Sequence, residues 1–174
     1  MCQATDNRGN HMLNSPATEN LSSDTESHPL RLLIPVDATD ATSHAIDYAI
    51  RRAQAGSAVK VSLLYVIEPV NSWEVLKFRT RQEIGEHFQQ RSEIFLDEAA
   101  KALAAAGIAS QRHCRQDETV HGILAFAEEH ACDEIVVPET KSCSIFSCGL
   151  ASKLAKESPG IPVVQIREDG RPLH

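Results

Sequence analysis

Two hydrophobic periods alternate along residues 29–168. The run Leu30-Arg31-Leu32-Leu33-Ile34-Pro35-Val36 is almost continuously apolar, as in a strand covered on both faces. Ala45, Ile46, Ala49, Ile50 and Ala53 then recur at helical spacing, and Gly56 supplies a stop. A second strand is predicted from Val59 to Ile67, closed by Pro69. Phe88, Phe95, Ala99, Leu103 and Ala106 lie on one face of a longer helix that Gly107 ends, with Gly85 near its start. The polar stretch 109–115 fits a strand only at a sheet edge. Val120, Ile123, Leu124 and Ala127 predict the next helix, with Asp117 or Thr119 as N-cap. A short strand at 134–138 follows, then a helix with Leu150, Ala151, Leu154 and Ala155 inward, then a last strand over 161–166.

Four strand–helix units and a final strand imply a three-layer α/β fold: a doubly wound, five-stranded parallel sheet with helices on both faces. Ligands in such sheets bind beyond the carboxyl ends of the strands, where strand order reverses. Residues 1–28 have few large apolar side chains and are expected as a disordered tail, with 29–168 as the domain and 169–174 as a second tail.

Charge and length narrow the function. The net charge of −7 and the lack of a Lys/Arg cluster argue against nucleic acid, and Arg51-Arg52 fits a solvated helix face. No apolar run approaches the roughly 20 residues of a membrane span, and the first residues have no signal-peptide pattern. Five cysteines, an odd number, fit reduced thiols and a cytoplasmic location.

The strand at 134–138 empties into 139–149, where a glycine-rich turn would cradle phosphate at a helix N-terminus. Here the turn has one glycine, Gly149, together with Lys141, Ser142, Ser144, Ser147, Cys143 and Cys148.

The ordered segments, in their order and spacing, resemble the universal stress protein family, the UspA-like domain related to adenine nucleotide alpha hydrolases. The resemblance is carried by LLIPVDATDATSHAIDYAI, VSLLYVIEP, RSEIFLDEAAKALAAAGI, ILAFAEEHACDEIVVP and SPGIPVVQIRE. It implies the five-stranded parallel sheet and a homodimer joined at the last strands, here through Val163, Val164 and Ile166. That strand is apolar and would lie at an open edge.

ATP-binding members of the family have Gly, two residues, Gly, nine residues, Gly, then Ser or Thr after the fourth strand. On this chain those positions fall on Pro138, Lys141, Gly149 and Leu150, with the interval about two residues short; only Gly149 matches. Pro138 lacks an N–H, Lys141 brings bulk, and Leu150 lacks a hydroxyl. No cofactor is therefore expected. The implied role is regulatory or protective, through dimerisation and protein contacts, without ATP in the usual loop.

The alternative is an ATP- or AMP-binding sensor with a modified phosphate loop. It would use Asp37 and the main chain at Val66 for the adenosine end, and Lys141, Ser142 and Gly149 for phosphate. Asp37 has an equally good role in its own turn, Asp37-Ala38-Thr39-Asp40-Ala41-Thr42.

Other chemistry finds less support. The first turn lacks the glycines of a flavin phosphate loop or of an ATP pyrophosphatase, and the last strand lacks the Lys of a phospho-receiver domain. Cys143 and Cys148 are a candidate redox pair, against the simpler reading of small packed thiols; no metal-ligand spacing accompanies them. His113 with Cys114, and His130 with Cys132, fall on an edge strand and a helix end. His44 and His121 fit surface positions. No catalytic residue is identified, and no enzyme activity is expected.

Overall fold

A computed structural model describes residues 28–69, 81–139, 149–158 and 160–173. Nine elements alternate along them: β1 (Leu30–Pro35), α1 (Thr42–Gln54), β2 (Val59–Ile67), α2 (Arg81–Ala105), β3 (Ala109–Gln116), α3 (Thr119–Glu129), β4 (Glu134–Pro138), α4 (Leu150–Glu157) and β5 (Val163–Ile166). The five strands form one parallel sheet in the order β3-β2-β1-β4-β5, as the alternation predicts. The polar strand β3 does lie at an edge, where its residues are exposed or half-buried.

Strand alternation divides the core in two. Leu32, Ile34, Val61, Leu63 and Ile166 meet α1 and α2 on one face, with Ala45, Ala49, Leu96 and Leu103. Leu33, Leu64, Val66, Ile135 and Val137 meet α3 and α4 on the other, with Ile123, Phe126 and Leu154. Burying both faces explains the unbroken apolar runs of β1 and β4. Ala106 and Ala155 are exposed: α2 has ended before the first, and the second lies outside the narrow stripe of Leu150 and Leu154 that docks α4.

The N-cap of α3 is neither Asp117 nor Thr119 but Glu118, whose carboxylate accepts from the N–H groups of Val120 and His121 at 3.4 and 3.0 Å. Asp117 is otherwise engaged, by Arg115 at 3.3 Å and His121 at 3.0 Å. These partners, the His121 hydrogen bond first, hold its carboxyl below the usual carboxylate range. Thr119 is already helical and donates its hydroxyl to Glu68.

The arginines of α1 do more than face water. Arg52 reaches Glu134 at 3.5 Å, and Tyr48 donates its phenol to the same carboxylate at 2.9 Å. Burial first, then Glu134, pushes the Tyr48 phenol up to about 12. Arg51 donates to the Asp169 carbonyl at 2.7 Å.

Residues 169–173, expected as a tail, turn back beside β5. Leu173 N–H donates to the Gln165 carbonyl at 2.8 Å, and Arg167 N–H to the Arg171 carbonyl at 2.9 Å, with Pro172 bridged antiparallel to Ile166. Gly170 makes the turn at φ 66°, pressed so closely on Arg51 that a Cβ would fall on the guanidinium.

Candidate functional site

Strands leave β1 in opposite directions, β2 and β3 to one side and β4 and β5 to the other, so the switch point is the crevice between β1 and β4. Asp37 stands just beyond β1, where it is buried. Its Oδ1 accepts from Thr39 N–H at 3.0 Å, Thr39 Oγ1 at 2.6 Å and Thr42 Oγ1 at 3.4 Å, which fixes the carboxylate and shapes the turn into α1. Oδ2 makes no hydrogen bond among the described residues.

Val66 lies near the end of β2, buried against α3. Val36 N–H donates to the Leu64 carbonyl at 2.8 Å; two residues on, the main chain of Val66 faces the same side, level with the end of β1. Gly122 permits this packing, because a Cβ there would meet Asp117 Cβ at 3.0 Å and Val66 Cγ1 at 3.3 Å.

β4 ends in Pro138, half-buried, and Glu139 N–H turns away to the Ile166 carbonyl at 2.6 Å. Gly149 caps α4 in the left-handed region, φ 83°, and brings no side-chain cap of its own. Beneath the Asp37 turn, a cavity of about 280 Å3 between α1 and α2 is lined by Asp37, Asp40, Ile46, Phe95 and Glu98. Three carboxylates make it a poor host for phosphate.

Asp37 beyond β1 and Pro138 at the end of β4 thus flank the switch point, with Val66 on the neighbouring strand β2. The model of the universal stress protein family matches residues 30–147.

The chain belongs to the universal stress protein family.

Solved structures with the same fold include one from Burkholderia pseudomallei (TM-score 0.61, 18% identity, 78% of this chain and 94% of that chain). Another is the Archaeoglobus fulgidus universal stress protein in complex with dAMP (TM-score 0.56, 18%, 78% and 96%). A third is an Arabidopsis thaliana family member with AMP bound (TM-score 0.55, 15%, 80% and 92%). Searched against curated proteins, the sequence finds no match.

Within this family fold, Asp37 stands just beyond β1 and Gly149 starts α4, while Val66 lies on β2, on the other side of β1 from β4. Lys141, Ser142, Cys143 and Cys148 lie outside the described residues. Of the expected dimer residues, Ile166 is wholly buried in the chain's own core; Val163 and Val164 are half-buried on opposite faces of β5. No group of three or more metal-ligating side chains occurs among the described residues, and no described helix is long and apolar enough to cross a membrane.

The structure also joins residues that the sequence leaves apart. His113 and His130 stand with ring centres 5.2 Å apart, and Phe126 stacks on His130 at 3.8 Å. Desolvation first, then His130, lowers the pKa of His113. Cys132 is buried, which pushes its thiol up to about 11 and makes it a poor nucleophile.

Proposed function

We propose that this universal stress protein is a regulatory or protective protein that works through contacts with other chains, without turnover and without ATP in the usual glycine loop. Pro138 carries the reading. It ends β4 at the switch point, where phosphate would need a main-chain donor and a flexible backbone, and it supplies neither. A 1H–15N titration with Mg-ATP tests this: the amides of Asp37, Val66 and Gly149 stay in place, and saturable shifts at all three overturn it.

Self-association belongs to the same reading. A second copy pairs along β5 at its Val163 end, because the returning segment 169–173 takes the Gln165 carbonyl and Arg167 N–H. Light scattering should give a dimer that tightens when residues 169–174 are deleted; monomers for both forms at micromolar concentration contradict it.

A second reading, an AMP-class nucleotide sensor, is favoured by one observation: Oδ2 of the ordered Asp37 carboxylate, just beyond β1, makes no hydrogen bond among the described residues. Family members from A. fulgidus and A. thaliana hold dAMP and AMP. Saturable shifts at Asp37, Val66 and Gly149 with AMP, abolished by Asp37→Ala, would support it; unmoved amides would dismiss it.

A further inference from the structure

The amino end of the sheet carries a feature that the switch-point chemistry does not use. Arg31 on β1 and Lys60 on β2 are direct partners in the parallel register. Alternation puts both on the α3 face, Arg31 with Leu33 and Lys60 with Ser62 and Leu64. Like charges side by side on one sheet face repel unless something neutralises them. Helix α3 ends at Glu129 and does not cover them.

What remains is a hollow of about 670 Å3, with Lys60, Ser62 and Gln111 in its floor and His28, Arg31 and His130 beside them. No Asp or Glu among the described residues lines it, in a chain with 24 acidic residues against 17 Lys and Arg. The Arg31 guanidinium is held by the His130 carbonyl at 3.3 Å and His28 Nε2 at 3.1 Å and makes no ion pair among the described residues. The carboxylate of Asp133 accepts through Oδ2 from the main-chain N–H of Arg31 at 2.7 Å. Lys60 makes no ion pair among the described residues.

We infer that this hollow binds a small phosphate-bearing anion, of the pyrophosphate or phosphomonoester class. A fixed guanidinium, a mobile ammonium, a hydroxyl and an amide are a donor set for a multivalent oxyanion. The volume, in the range of small-molecule sites, leaves room for an organic group beyond the phosphate. The site lies about 20 Å from the Asp37 crevice, six residues along β1, and does not depend on what binds there.

Pyrophosphate is the probe. At constant ionic strength it should give saturable 1H–15N shifts at Lys60, Ser62 and Gln111, with affinity about tenfold weaker in Lys60→Glu, the loss expected for one charged hydrogen bond. Gln111→Glu, also an exposed floor position, should weaken binding in a chain that keeps both cations. Ribose 5-phosphate should compete, since its terminal phosphomonoester presents the same kind of multivalent oxyanion. Linear, non-saturating shifts, shifts confined to the carboxyl end, or equal affinity in both variants would overturn the inference.

Discussion

At the carboxyl end of the sheet the crevice is edged by Asp37 and Pro138, with Asp40 and Glu98 lining the cavity nearby; at the amino end β1 and β2 begin with Arg31 and Lys60 side by side. The first end has the topology that attracts anions in α/β folds, together with side chains that oppose them. The second has the donors without the topology. A net charge of −7 hides this division, because the sum does not say where the cations gather. On the readings proposed above, ligand preference in this chain follows local charge and donor supply, not position in the fold alone.

Substitutions at the two ends should differ most in stability. Leu154→Ala, at the fully buried residue that anchors α4, should cost about 2–5 kcal/mol in urea unfolding. Lys60→Ala, at an exposed position of the amino end, should change stability by less than about 0.5 kcal/mol. A similar loss at both sites would break the comparison, since it would mean that Lys60 is structural.

Smaller effects sharpen it. Gly122→Val should cost about 1–3 kcal/mol by pushing α3 off Val66 and Asp117, and it should disturb the carboxyl end alone. Asp37→Ala leaves Thr39 and Thr42 without their acceptor and should lower stability by about 1–2 kcal/mol; an unchanged unfolding midpoint would show that the carboxylate does not hold the turn.

The smallest effect concerns pH. The pKa of His113 is lowered on folding, so the unfolded chain binds the proton first. Stability from this group is present above the unfolded value near 6.5 and is lost as pH falls below it through the folded value. His113→Gln should flatten the midpoint between roughly pH 7 and 5; an unchanged slope would assign the pH dependence to other groups.

Much of the fold was legible because period and punctuation agreed. Gly56 and Gly107 stand at positive φ just past α1 and α2, and the polar strand β3 declared its edge position. The cap of α3 was not legible, because three neighbouring residues all have capping side chains and the choice depended on Arg115 and His121 competing for Asp117. At the carboxyl end, the family pattern singled out Asp37, Val66 and Gly149 as candidates, and the fold puts Asp37 just beyond β1. The amino-end hollow was not, since Arg31 and Lys60 become neighbours only through strand register. One signal was present: each is a single cation just inside an apolar strand, at a position expected to be buried.

The division between the two ends is tested most directly by following the backbone amides of one 15N-labelled sample during a pyrophosphate titration. The account predicts saturable shifts at Lys60, Ser62 and Gln111 while Asp37, Val66 and Gly149 stay in place. Saturation at Asp37, Val66 and Gly149 with a silent amino end would contradict it.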